Sequence, residues 1–281
     1  MRNLFGSVLI ILLIPAIFVA CSPSAQLKTV TFESPLADVQ AADVTIEIPF
    51  QRVAVNALSG RENLMSGRVQ VIGDLDFNVD GDDARRILSL GEDSGNQSYA
   101  GDEEAEWTIG LTAQIPLRLN YIMNAGTSTL DLRGVKLDDF ALTMFTGDLT
   151  AILPATNNGY NVNVDMRSGS GSVNLPEDFD THMRVNVGSG ELRVTVGAES
   201  GGTVDVDMTT GEVIFSVPET IGVRVEMGEL SSGNIVVPAS LMLISGSASA
   251  NGVWESAGYE DNAYQMVFRI AMQNGRFIIQ N

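Results

Sequence analysis

Five times between Asp138 and Pro238, a run of alternating apolar residues meets a small-residue turn and continues as a second run. The turns read Phe145-Thr146-Gly147-Asp148, Gly169-Ser170-Gly171-Ser172, Gly188-Ser189-Gly190-Glu191, Thr209-Thr210-Gly211-Glu212 and Ser231-Ser232-Gly233-Asn234. Their last glycines, Gly147, Gly171, Gly190, Gly211 and Gly233, recur every ~20 residues, the signature of a repeat architecture. Three of the second runs close on proline, at Pro154, Pro176 and Pro238.

The first runs have period two. In Val162-Asn163-Val164-Asp165-Met166 and Val204-Asp205-Val206-Asp207-Met208, valine and methionine alternate with polar groups. Successive side chains of a strand point to opposite faces, so each unit is half apolar. One such unit cannot bury its apolar face alone, but stacked units share a continuous core. The expected fold is all-β: a β-solenoid, right-handed and parallel β-helix-like, over residues 126–281. A small β domain over 43–125 precedes it. An antiparallel β-sandwich of successive hairpins uses the same alternation and is the alternative. Leu241 to Asn281 reads as a last coil with an inserted loop, its Tyr259, Tyr264, Phe268 and Phe277 closing the open end of the core.

The first residues indicate a compartment. Arg2 precedes an apolar run from Val8 to Ala20, which ends at Phe18-Val19-Ala20-Cys21. A basic start, a short apolar region and a small residue before the cut form a secretory signal. The residue after the cut is the chain's single cysteine. The pattern resembles a bacterial lipobox, although Phe18 stands where leucine is usual. It implies a signal peptide over 1–20 and acylation of Cys21 by chains such as palmitate. Residues 21–42 read as a tether, with a short strand at Thr29–Phe32, lifting the body off a cell or outer membrane. A lipidated lone cysteine leaves no disulfide framework, so stability must come from burial.

Sixteen basic and 35 acidic residues give a net charge of −19. Binding to nucleic acid requires a basic patch, which the sequence lacks. Anionic headgroups would repel such a body, so acyl chains rather than charge must hold it at a membrane.

Between 43 and 125, Asp74-Leu75-Asp76-Phe77-Asn78-Val79-Asp80 places oxygen-bearing side chains at every second position. On a strand, Asp74, Asp76, Asn78 and Asp80 share one face. Hard cations need oxygens converging on a point, whereas a strand spaces same-face residues by about 7 Å. The favoured reading is a solvated face rather than a metal site. The acidic, glycine-bearing stretch from Leu90 to Glu106 reads as an exposed loop. Trp107 reads as core, with sugar stacking as the other reading.

Conventional catalytic motifs do not emerge. His182 is the single histidine, and no Gly-x-Ser-x-Gly elbow joins a strand to a helix. The Gly-Ser turns suit backbone freedom better than phosphate binding, which also needs a helix. Arg184, Arg193 and Arg224 lie on repeat strands and could meet an acidic sugar; solvated strand faces are the favoured reading.

Trp107–Leu111, Ile115–Leu119, Ala125-Gly126-Thr127, Leu130–Leu137 and Gly147–Pro154 together resemble the toast-rack family. Its members join an N-terminal toast-rack domain to a repetitive, adhesin-like β domain, and the similarity runs from about Asp43 to Pro238. Members resemble the extracytoplasmic part of a membrane-anchored negative regulator of envelope stress in Gram-positive bacteria. That regulator has transmembrane helices where this chain has a lipid anchor. The resemblance implies a fold and a setting rather than a chemistry. The expected function is a non-catalytic interaction or scaffold protein of the bacterial envelope, held by Cys21 and binding another envelope protein. A surface adhesin or glycan-binding protein is the alternative, and a polysaccharide-active β-helix enzyme ranks third. No cofactor is implied.

Overall fold

A computed structural model of the chain describes residues 27–95, 105–155, 159–230, 232–248 and 250–281. The expected signal peptide and Cys21 lie outside them. Each coil of the repeat is a longer strand, a three-residue turn and a shorter strand. Pro116–Met123 leads into Thr127–Asp131, and Lys136–Met144 into Asp148–Ile152. Asn161–Met166 leads into Ser170–Asn174, Asp180–Val187 into Glu191–Thr195, and Gly201–Met208 into Glu212–Ser216. The longer strands pair in parallel with one another, and so do the shorter ones. The result is a two-sheet β-solenoid, with a long-strand sheet of 12 strands facing a short-strand sheet of 11. Parallel pairing between coils excludes the antiparallel sandwich.

Alternation dictates the packing. Val162, Val164 and Met166 are buried, while the polar residues between them face outward. Val185, Val206 and Ile270 continue the inner column above Val164. Each such side chain contributes about 1.5–3 kcal/mol on burial. The turns form ladders of their own: Ser170 N–H donates to the Gly147 carbonyl, Glu191 to Gly169, and Glu212 to Gly190, each at 2.9 Å. The turn glycine of the third coil is therefore Gly169, with φ +94°, and not Gly171, which lies buried within Ser170–Asn174. Met123, Met144 and Met166 end their long strands beneath this glycine column and seal the core there.

Chain order and spatial order part at both ends. The coil Ala42–Ile48 with Arg52–Ala57 stacks directly on Pro116–Met123 and Thr127–Asp131. Arg86–Asp93 with Glu106–Leu111 lies outside it. The sheets thus run unbroken past residue 125, and one hydrophobic cluster extends from Phe32 to Ile279. The N-terminal region contributes coils to the same solenoid. At the other end, Gln265–Met272 with Arg276–Gln280 enters between Gly201–Ser216 and the coil Gly222–Leu230 with Asn234–Val236. This corrects the expectation of a last coil closing the end. Phe268 and Phe277 are interior, their rings 4.9 and 5.9 Å from that of Phe215. The hairpin Leu241–Ser247/Ala250–Ser256 caps that end instead, with Trp254 buried.

The segment expected as tether enters the fold early. Lys28–Pro35 is a strand, antiparallel to Asn63–Val71 at the edge of the short-strand sheet. Phe32 is buried there and packs on Phe77, its ring 4.8 Å away. Among the described residues, no helix is long and apolar enough to cross a membrane.

Candidate functional site

Parallel, in-register strands align their outward residues into columns across the long-strand sheet. One column reads Asn163, Arg184, Asp205, Arg269, Glu226. From Arg184 its charges alternate in sign. Arg269 Nη1 lies 3.8 Å from Asp205 Oδ1, and its Nε lies 3.6 Å from Glu226 Oε2. Glu226 also accepts a 2.7 Å hydrogen bond from Arg224 Nε, and Arg224 donates in turn to Glu255. These carboxylates raise the Arg224 guanidinium above its ordinary pKa, the Glu226 hydrogen bond contributing most. His182 Nε2 stands 3.2 Å from Asp205 Oδ2. An ionic network therefore crosses five strands of the long-strand sheet, from Asp180–Val187 to Ala250–Ser256.

The neighbouring column reads Asp165, Asn186, Asp207, Ala271. Ala271 and Gly228 are small, and the missing bulk opens a groove of about 640 Å³. Arg184, Asn186, Asp205, Asp207, Glu226 and Arg269 border it. Asp205, Glu226 and Arg269 are engaged with one another, while Arg184, Asn186 and Asp207 point into it without a partner among the described residues. No aromatic ring lines the groove. It offers a donor, an amide and an acceptor beside aliphatic surface from Met227 and Ala271, and no ring on which a sugar could stack.

Other expected residues are dispersed. Arg193 lies on the short-strand sheet and pairs with Glu191 at 2.6 Å, so Arg184, Arg193 and Arg224 do not form one cation cluster. Trp107 is core, its indole N–H donating to the Gln70 carbonyl at 2.9 Å. No serine hydroxyl bonds His182 among the described residues. Asp74, Asp76, Asn78 and Asp80 occupy the exposed edge strand Asp74–Gly81. Lys28 pairs with Asp74 at 2.6 Å and holds its carboxyl below the usual range, and Asn78 donates to Asp76. Among the described residues, no three acidic, His or Cys side chains are placed to hold a metal ion. A charged edge strand of this kind blocks sheet-to-sheet association.

Asp205, Asp207, Glu226 and Arg269 were not singled out from the sequence. Alternation places each on an outward face, but only the register joins them. Arg269 reaches Asp205 and Glu226 solely because its coil is inserted out of chain order.

The fold and this surface define a two-sheet β-solenoid with a polar, charge-laddered face. Residues 23–176, more than half of the chain, match the family described as the N-terminal domain of toast_rack, DUF2154. The chain belongs to the toast-rack family. Among solved structures, one named as a cell adhesion protein from Clostridium sporogenes is 12% identical, with TM-score 0.47. It aligns over 90% of this chain and 99% of its own. One named as an adhesin from Bacteroides fragilis is 9% identical with TM-score 0.40, over 92% and 99%. One named as a lipid binding protein from Parabacteroides distasonis is 10% identical with TM-score 0.34, over 91% and 97%. No curated protein matches the sequence.

Proposed function

We propose that this toast-rack protein is a lipid-anchored, extracytoplasmic, non-catalytic interaction module of the bacterial envelope. Its working surface is the outer face of the long-strand sheet. The observation that supports this reading is the groove, where the Arg184, Asn186 and Asp207 side chains stand ready beside a self-satisfied ionic ladder. Such a surface suits a polar protein segment. The ladder holds register and charge pattern, and the open groups supply donors and an acceptor at the centre. Reaction chemistry is disfavoured because Asp205 and Glu226 are held in ion pairs, which leaves Asp207 as the one open carboxylate of the groove, without a second acid or base beside it to trade protons with a substrate.

The anchor is Cys21, acylated after cleavage of residues 1–20. Lys28 already lies in the fold, and seven residues span at most about 25 Å, so Cys21 can be no farther than that from it. The N-terminal end of the solenoid then sits close to the membrane and the C-terminal hairpin far from it. A role in envelope-stress homeostasis fits this placement.

The test is in-cell crosslinking of the full chain, followed by affinity capture. The reading expects one recurring envelope protein, reduced at least tenfold by Arg184→Glu with Asp207→Lys. Capture of polysaccharide alone, with no recurring protein, would sink it in favour of a glycan-binding adhesin. Labelled fatty acid incorporated by the chain, but not by its Cys21→Ala variant, checks the anchor separately.

A further inference from the structure

The groove of the long-strand sheet joins an unfilled floor to an open charge. Asp207 and Ala271 are directly opposite in the register, about 4.8 Å apart as neighbouring strands require. Gly228 lies one strand further, in the irregular stretch that follows the pair Met227↔Ile270. Ala271 and Gly228 are both exposed, and the space above them is left empty by their small size. The rim of that space is charged. Asp205 and Glu226 border it, and Arg269 lies against both of them. Asp207 borders it as well and has no partner among the described residues.

We infer, on the reading that this face is the working surface, that the space takes one basic side chain, lysine or arginine, of a partner protein. The aliphatic stem lies over Gly228 and Ala271, and the cationic head meets Asp207. Charge complementarity selects this occupant. An acidic side chain in the same place would stand among Asp205, Asp207 and Glu226, with Arg269 already shared between two of them. A wholly apolar side chain would strip water from Asp207 and give nothing in return. A basic side chain suits floor and rim together, because its stem is apolar and its head is charged.

Gly228 adds a steric reason, since a partner backbone can come close to a strand where no side chain stands. Arg184 is opposite Asp205 in the register and so diagonal to Asp207. It repels a second cation and thereby sets the direction in which the partner segment lies. At longer range, the net charge of −19 draws a basic segment towards the body. The contact is exposed, so it confers selectivity rather than great tightness.

The test is a nuclear magnetic resonance titration of the full chain in detergent micelles at constant ionic strength. Three probes are compared: acetyl-Gly-Lys-Gly-amide, the same peptide with norleucine, which keeps the stem without the charge, and the same peptide with glutamate. The lysine peptide should shift the Ala271 methyl and the Gly228 amide. It should leave in place the methyl of Ala54, on the outer face of the short-strand sheet. The norleucine and glutamate peptides should bind at least threefold more weakly, as should the lysine peptide to Asp207→Asn. Ala271→Leu fills the floor and keeps every charge, so it should remove the shift at Gly228 and keeps the test valid if Asp207→Asn perturbs the fold. Equal binding of the norleucine peptide, preference for the glutamate peptide, shifts spread evenly over both sheets, or indifference to both substitutions would overturn the inference. Partner capture in cells through a photoreactive residue at position 186 checks the underlying reading separately. Capture there that ignores Asp207→Asn would remove the basic side chain and leave the working surface standing, whereas no capture would remove the surface itself.

Discussion

Arg269 Nε lies 3.6 Å from Glu226 Oε2, although the strand bearing Arg269 follows that of Glu226 by a whole hairpin in the chain. The inserted coil explains why. Were the coils stacked in chain order, Glu226 would stand directly against Asp205, and like charges opposite one another on neighbouring strands destabilise a sheet. Arg269 separates the two carboxylates. Arg269→Glu would put three acids in a row and should cost about 1 kcal/mol, a modest figure because the side chain is largely exposed. The loss should shrink as salt screens the row, which denaturant melts at low and high ionic strength would show.

A Cβ on Gly169 would collide with the Gly147 carbonyl and stand 2.9 Å from Met144 Cε, at a φ of +94°. The same stacking recurs at Gly147 over Gly126. Gly169→Ala should therefore destabilise by about 2–3 kcal/mol, combining backbone strain with displacement of the turn ladder. At roughly 2–4 °C per kcal/mol, the melting temperature falls by about 4–12 °C. Gly60→Ala is the control: nothing lies within 4 Å of its Cβ, and stability should move by less than about 0.5 kcal/mol.

Among the described residues, two tyrosines are locked inside. Tyr121 Oη shares a 2.6 Å hydrogen bond with Ser128 Oγ, and Tyr160 Oη donates to the Pro154 carbonyl at 2.9 Å. Burial raises both phenols well above their ordinary pKa. Unfolded tyrosines release their protons first, so this contribution is full below about pH 10 and is lost as pH rises further. Tyr121→Phe or Tyr160→Phe should cost about 1 kcal/mol at neutral pH, from the partner left unsatisfied. Each should also flatten the alkaline limb of the stability curve. In an absorbance titration, the Tyr121 and Tyr160 phenols should ionise only together with unfolding; their smooth titration in the folded state would contradict the burial.

An end coil of a linear solenoid can be trimmed with little effect beyond the next coil. Here, removal of residues 262–281 takes out an interior coil. It should strip protection from hydrogen exchange over Gly201–Met208 and Gly222–Leu230 at once. Loss confined to the last few residues would show that the coils stack in chain order.

Much of this architecture was legible. Alternation at Val162–Met166 and Val204–Met208 marks strand faces, and glycine spacing marks the coils. The turn of the third coil is ambiguous in the sequence because Gly169 and Gly171 both fit the spacing, and only the positive φ at Gly169 separates them. The inversions at the two ends were hidden. Stacking order is decided between coils of nearly equal apolar pattern, where an outward charge such as Arg269 tips the balance, and no local signal announces it. Lys28–Pro35 reads largely as tether in the sequence because its pairing partner, Asn63–Val71, lies far along the chain. The groove was hidden for the same reason as Arg269. Its residues belong to four different coils, and its depth comes from two small ones, Ala271 and Gly228.

The central claim is that the outer face of the long-strand sheet meets another envelope protein. Photoreactive residues in place of Asn186, Asp207 and, on the short-strand sheet, Thr150 would test it most directly in intact cells. The account predicts one recurring envelope protein captured from positions 186 and 207 and not from 150. Equal capture from all three positions, or polysaccharide alone from the first two, would contradict it.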